Sequence, residues 1–252
     1  MRAASLGSGS RGNALVVEAA GVRVLVDCGF SHAETVRRLQ TLGLSPADLD
    51  AVLVSHEHGD HCRGVRALVG RHGLPVWATA GTAGCLDLPP EAELHVLSPD
   101  VPFSIGSLRI HPYPVPHDAR EPCQFVFEAA GLRLGVLTDA GHCTPHMGYC
   151  LQDLDGLVLE CNHDPDMLAC GPYPPALRRR VGGDYGHLSN AQAARLLAAV
   201  ASSRLAWVVA AHLSEQNNTP EAARAALADV LPGSAELRLA DQTTGFSWQE
   251  LG

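Results

Sequence analysis

The stretch Ala51-Val52-Leu53-Val54-Ser55-His56-Glu57-His58-Gly59-Asp60-His61 decides how the chain is read. A short apolar run suits a buried strand, and it passes directly into His-x-His-x-Asp-His, so a strand ends in candidate metal ligands. Imidazole and carboxylate suit borderline divalent ions, and His56, His58, Asp60 and His61 lie close enough for one loop to serve two adjacent metals. Gly59 is expected to permit the tight bend this requires. Chance seldom places three histidines and an aspartate at such spacing, which leaves a solvated polar loop as the weaker alternative.

Outward from this string, apolar runs separated by Gly, Asn, Pro and Asp predict strands over Ala14–Glu18, Val22–Asp27 and Val76–Ala78. Further strands are expected over Ser107–His111, Cys123–Phe127, Leu132–Thr138 and Gly156–Glu160. Helical spacing predicts surface helices over Ala33–Leu42 and Gly64–Arg71. Later helices are predicted over Asn190–Ala201, capped by Ser189 or Asn190, and over Pro220–Val230, with Thr219 as cap and Pro220 in the first turn. A strand pair, Trp207–Ala211 and Glu236–Leu239, is expected to close the chain. Two halves, each of strands followed by helices, imply an αββα sandwich of two mixed sheets with outer helices, formed as a single domain over residues 1–252. No obvious short repeat is expected, and Pro112, Pro114 and Pro116 form a stiff segment leading into His117.

Composition agrees with a globular body: 252 residues, 46% hydrophobic and 18% charged. The formal net charge of −9 argues against a nonspecific basic coat for nucleic acid or membrane, though not against a local anion site. No uninterrupted apolar run reaches the roughly 18 residues of a membrane span, and Met1–Gly12 is polar and Gly/Ser-rich, unlike a secretory leader. A cytoplasmic protein is expected. The eight cysteines form no CxxC pair and are taken as reduced packing residues.

With those strings in place, the chain resembles the metallo-β-lactamase-fold hydrolases, whose signature is HxHxDH followed by a distant His, an Asp and a last His. Within them it is most similar to the YycJ (WalJ) branch of nuclease-like proteins. The similarity rests on Ser8-Gly9-Ser10-Arg11-Gly12-Asn13, His117-Asp118-Ala119, Thr138-Asp139-Ala140-Gly141, Asn162-His163-Asp164, Gly186-His187-Leu188-Ser189-Asn190 and His212-Leu213-Ser214-Glu215-Gln216-Asn217-Asn218. Cys161 stands where the branch more often has Ser, and Ser55 where it more often has Thr.

The resemblance implies that His56, His58 and His117 hold one metal, that Asp60, His61 and His212 hold a second, and that Asp139 bridges them. Zn²⁺ and Mn²⁺ both suit such nitrogen and oxygen donors. Two close metals can deprotonate one water as the nucleophile, polarise a phosphoryl oxygen and stabilise the leaving oxygen, which fits phosphodiester hydrolysis. Asp60 is therefore expected to act in catalysis as well as in binding. His187, paired with Glu160 as in the similar tRNase Z enzymes, is the candidate proton donor; helix capping and phosphate binding are its alternatives. Asp164, Asp118 and Asp27 are candidates for orienting ligand imidazoles, Asp27 ranking last because turn chemistry explains it as well.

Ser10, Asn13, His163, Arg178, Arg179 and Asn217 are candidate substrate contacts. The Gly/Ser loop reads equally as a simple turn, and the arginines equally as a solvated helix face. Tyr173 reads as a packed loop aromatic, with stacking on a base as its alternative, and His142 and His146 read as surface residues, with lining the pocket as theirs. The implied activity is a 5′ to 3′ DNA exonuclease with no predictable stable protein partner. The alternatives are a small-molecule hydrolase of the same fold, cleaving a cyclic phosphodiester, lactone, thioester or β-lactam, and a metal-stabilised interaction protein without activity.

Overall fold

The computed structural model describes residues 1–233 and 235–252. Among these, β1 (Arg2–Gly7), β2 (Ala14–Ala19), β3 (Val22–Val26), β4 (Ala51–Leu53), β5 (Val76–Thr79) and β6 (Leu94–Leu97) enter one sheet. The second sheet takes β7 (Phe103–Ile105), β8 (Leu108–Pro114), β9 (Cys123–Ala129), β10 (Leu132–Leu137), β11 (Gly156–Glu160), β12 (Trp207–Ala211) and β13 (Glu236–Leu239). β14 (Phe246–Glu250) then returns to the first sheet beside β1. The spatial orders are β14-β1-β2-β3-β4-β5-β6 and β13-β12-β11-β10-β9-β8-β7. Each sheet is mixed, with its antiparallel pairings on one side and its parallel pairings on the other.

Helices follow the strands in both halves: α1 (His32–Thr41), α2 (Gly59–Cys62), α3 (Val65–His72), α4 (Ala80–Ala83), α5 (Pro145–Cys150), α6 (Pro165–Cys170), α7 (Pro175–Val181), α8 (Asn190–Val200) and α9 (Pro220–Ala228). Alternation along the strands builds the layers. Val24, Val26 and Leu53 join Phe125, Phe127, Val136 and Val158 in an apolar cluster between the sheets. Their alternates Leu25, Val52 and Val54 pack with Leu39 of α1 and Leu68 of α3. On the far side, Leu137, Leu157 and Leu159 pack with Leu196 and Leu197 of α8 and Leu227 of α9. Burial on both faces explains why the central strands read as nearly continuous apolar runs. Each fully buried Leu or Phe contributes about 1.5–3 kcal/mol of transfer free energy. The expected αββα sandwich is therefore present. None of the described helices is long and apolar enough to cross a membrane.

Three expectations need correction. Arg2–Gly7, inside the segment read as polar, is a strand buried from Ala3 onward between β2 and β14. The pair Trp207–Ala211 and Glu236–Leu239 forms, but the chain continues past it into β14. A short repeat does exist: Glu18-Ala19-Ala20-Gly21-Val22-Arg23-Val24 corresponds to Glu128-Ala129-Ala130-Gly131-Leu132-Arg133-Leu134. Both copies make the same hairpin, with positive φ at Ala20 (51°) and Gly21 (82°), and again at Ala130 (50°) and Gly131 (77°). Positive φ at two central residues gives the turn whose twist matches its flanking strands. The repeat extends beyond the hairpin, because the Arg23 N–H donates to Asp50 and the Arg133 N–H to Asp155, each at 2.7 Å.

Candidate metal centre and cleft

The candidate ligands gather at one end of the sandwich, beyond the carboxyl ends of several strands, with His56 after β4, His117 after β8, Asp139 after β10 and His212 after β12, and Asp27 joins them after β3. Asp27, Asp139 and His212 hold left-handed backbone, at φ 62°, 57° and 55°. Non-glycine residues in that region carry strain and cluster at functional sites. Gly29 fixes the HxHxDH loop against β3, because a Cβ there would lie 1.7 Å from the Asp60 carbonyl oxygen. The bend expected of Gly59 needs no glycine: its φ is not positive, and a Cβ there would meet open space.

Two groups of donors converge. His56 Nε2 lies 3.1 Å from His58 Nδ1, and His117 Nε2 lies 3.2 Å from the same His58 atom. Asp60 Oδ2 lies 3.5 Å from His61 Nε2 and 3.8 Å from His212 Nε2. Asp139 stands between the groups, with Oδ2 3.3 Å from His61 Nε2 and Oδ1 3.9 Å from His117 Nε2. Both sets have the mutual spacing of groups able to hold an ion.

The outward-facing ring nitrogens are all engaged. His61 Nδ1 donates to Asp27 Oδ2 at 2.8 Å, and His212 Nδ1 donates to Glu160 Oε1 at 3.0 Å. His117 Nδ1 donates to the Gly186 carbonyl at 2.9 Å, and His58 Nε2 to the Asp118 carbonyl at 3.2 Å. Ser55 Oγ donates to Asp27 Oδ2, so it accepts from His56 Nδ1 at 2.9 Å. Each bond places the proton on the outer nitrogen and leaves the inner lone pair facing the centre, as in metal-binding imidazoles. Asp139 Oδ2 and His212 Nε2 are buried without hydrogen-bond partners among the described residues. Orphaned buried polar atoms at a point of convergence fit bound cations.

Electrostatics follow from this crowding. Burial opposes charge on Asp139, but the imidazoles of His212, His61, His56 and His117 outweigh it and hold the carboxyl well below the ordinary range. Burial also opposes charge on His61, yet Asp139 and Asp27 raise it well above the usual value. His56, farther from a carboxylate and beside other imidazoles, is pushed well below it, chiefly by burial. Against its own burial, Glu160 is held down to about 2 by its contacts with His187 and His212.

A cleft of about 350 Å³ opens over the donors, lined by Ser10, Asp60, Asp139, Tyr173, Arg180 and His187 among others. Glu160 is fully buried, and its Oε1 accepts from His187 Nδ1 at 2.9 Å, the pairing expected from sequence. The other candidates separate. Asn13 Nδ2 lies 3.0 Å from His61 Nε2 and 3.3 Å from Asp60 Oδ2. His163, Arg178 and Arg179 line a different cavity of about 460 Å³. Asn217 is buried beneath the surface, bonded to Ser214. Of the three consecutive arginines, Arg180 reaches the cleft, where its Nε donates to Asp118 Oδ2 at 2.5 Å. Tyr173, read as a packing residue, also lines it. Asp27, ranked last from sequence, ties His61 to Ser55 and thereby to His56. The repeat signals its importance, since Val26-Asp27-Cys28-Gly29 parallels Thr138-Asp139-Ala140-Gly141 and both aspartates hold positive φ.

A family model described as "Beta-lactamase superfamily domain" matches residues 22–208. "Exodeoxyribonuclease YycJ" of Bacillus anthracis is 33% identical over 231 residues, covering 90% of this chain and 87% of that protein. "Exodeoxyribonuclease WalJ" of Streptococcus pneumoniae is 31% identical over 232 residues, covering 90% and 86%. Among solved structures, the metallo-beta-lactamase fold protein YhfI from Bacillus subtilis superposes with a TM-score of 0.77 at 20% identity, covering 98% of both chains. That likeness is one of fold.

Proposed function

The chain belongs to the beta-lactamase superfamily and is a metal-dependent hydrolase, and from that premise we propose that it is a dinuclear phosphodiesterase acting on nucleic acid, a 5′ to 3′ DNA exonuclease formed as one domain. The observation that carries this reading is the pair of convergent donor sets on either side of Asp139, opening on a cleft that also holds His187 and Arg180. The relatives named as exodeoxyribonucleases support the choice of DNA.

In this reading His56, His58 and His117 would hold one divalent ion and Asp60, His61 and His212 the other, with Asp139 available to both sets. Two ions bound there would supply positive charge able to lower the pKa of water and to polarise a phosphoryl oxygen. The surrounding side chains do the rest. Asp27, Glu160, Ser55 and two backbone carbonyls keep the ligand imidazoles in the tautomer that points a lone pair inward. His187 donates its Nδ1–H to Glu160 in a hydrogen bond, and in the imidazolium form its Nε2–H can supply the proton that a departing alkoxide needs, which leaves the neutral ring still bonded to Glu160. Arg180 brings a guanidinium to the same cleft, where it can pair with a phosphate oxygen. Local cations and this arginine offset the overall charge of −9 for an anionic substrate.

The test is a substrate panel with Zn²⁺ or Mn²⁺: single-stranded DNA labelled at either end, RNA, bis(p-nitrophenyl) phosphate and nitrocefin. Mononucleotides released first from the 5′ end of DNA are the expected result. Nitrocefin turnover without phosphodiesterase activity contradicts the proposal in favour of a small-molecule hydrolase. Bound metal without hydrolysis of any substrate contradicts it in favour of an interaction protein.

A further inference from the structure

A separate group of donors lies outside the cleft, where α5 meets the turn between β6 and β7. His146 and Cys150 are four residues apart on α5, a spacing that stacks side chains on one helix face. Thr144 caps the helix by accepting from the Met147 N–H at 3.1 Å. Asp100 approaches from the turn. Its backbone N–H donates to the Pro112 carbonyl at 2.8 Å and its φ of 68° is left-handed, which directs the carboxylate toward the helix. Asp100 Oδ1 lies 2.6 Å from His146 Nε2, and Cys150 Sγ lies 3.5 Å from that same nitrogen.

Convergence on one ring nitrogen distinguishes this group from a hydrogen-bonded relay. In a relay the carboxylate and the thiol occupy opposite nitrogens of the imidazole; here both compete for Nε2, which has either one proton or one lone pair to offer. A cation among the three donors satisfies all of them. Zinc bonds of about 2.0 Å to nitrogen and about 2.3 Å to sulfur place tetrahedral neighbours about 3.4–3.6 Å apart. The Cys150–His146 separation of 3.5 Å already has that value. Asp100 must withdraw by under about 1 Å to give the same spacing, and its half-exposed side chain is free to do so.

We propose that Asp100, His146 and Cys150 form a mononuclear site for a borderline divalent ion such as Zn²⁺, independent of the centre in the cleft. Thiolate, imidazole and carboxylate together favour such an ion over Mg²⁺ or Ca²⁺. The donors lie on the wall of a cavity of about 450 Å³, which leaves room for water in the fourth position. Burial and the Asp100 charge raise the Cys150 thiol, and a cation there counters both.

Co²⁺ titrated into the metal-free protein tests the proposal directly, because only a thiolate ligand gives an intense near-ultraviolet charge-transfer band and the proposed cleft ligands include none. The wild type is expected to show that band and to bind one more equivalent of Co²⁺ than Cys150→Ser, which loses the band. Asp100→Asn, which tolerates the same left-handed backbone, is expected to weaken this site at least tenfold while leaving the other equivalents unchanged. Saturation of the wild type without the band overturns the proposal, as does a band that persists in Cys150→Ser or an affinity for this equivalent that is unaltered in Asp100→Asn.

Discussion

Replacing Glu160 with Gln exchanges one acceptor oxygen for an N–H₂ group at a position with no access to water. Glu160 Oε1 accepts from His187 Nδ1 and His212 Nδ1 at 2.9 and 3.0 Å, and Oε2 accepts from the backbone N–H groups of Leu188 and Ala140 at 3.1 and 3.0 Å. An amide has one accepting end and one donating end. Turned toward the backbone, its N–H₂ faces two donors that have no alternative tautomer. Turned toward the imidazoles, it forces His212 to move its proton to Nε2, the buried atom whose lone pair faces the centre. The second arrangement is the less costly, and its penalty falls on metal binding. Loss of a partner that orients a ligand costs about 10–100-fold in metal affinity, or about 1.4–2.8 kcal/mol. Loss of one bond to the buried carboxylate also destabilises the metal-free fold, by about 1.5–3 kcal/mol. Competition titration with a chromophoric zinc chelator reads the first quantity, and thermal denaturation of the metal-free protein reads the second. A Glu160→Gln variant that binds metal within twofold of the wild type and melts at the same temperature refutes the claim that Glu160 sets the His212 tautomer.

Other consequences follow from the same geometry. His187→Ala is expected to slow turnover by about 10²–10⁴-fold, the range for a lost proton donor, with metal content unchanged; an ion lost on substitution makes His187 a ligand instead. Gly29→Ala places a methyl group 1.7 Å from the Asp60 carbonyl oxygen and should lower both melting temperature and metal affinity, whereas Gly59→Ala should leave both nearly unchanged; equal effects refute the assignment of the close approach to Gly29. Burial pushes the His163 imidazole down to about 4, against about 6.5 in an unfolded chain. The unfolded state therefore takes up the proton first, and stability is expected to fall as pH drops from about 6.5 toward 4. His163→Asn should flatten that part of the stability curve in denaturant titrations, and an unchanged slope counts against the assignment.

The layers of the fold were legible wherever burial left a periodic trace. β4 and β12 are apolar and buried throughout, and β3, β10 and β11 are apolar apart from Arg23, Arg133 and Glu160, so their runs show it. β1 left no such trace, because Arg2-Ala3-Ala4-Ser5-Leu6-Gly7 contains small residues rather than β-branched ones. It is a strand because β2 and β14 flank it, a case of tertiary context overriding propensity. The HxHxDH loop was legible because its donors are local. Asp27 was legible only as the last-ranked of three orienting candidates, since its partners Ser55 and His61 lie 28 and 34 positions away. Arg180 was likewise indistinguishable from Arg178 and Arg179 in sequence, because each step along a helix turns the side chain by about 100° and only the packing of α7 decides which one enters the cleft.

Crystals of the protein soaked separately in Zn²⁺ and Mn²⁺ test the centre most directly through anomalous scattering. Two peaks are expected, one among His56, His58 and His117 and one among Asp60, His61 and His212, with Asp139 in contact with both. Anomalous maps without a peak among these side chains, from crystals whose soaked ions are bound elsewhere, contradict the account.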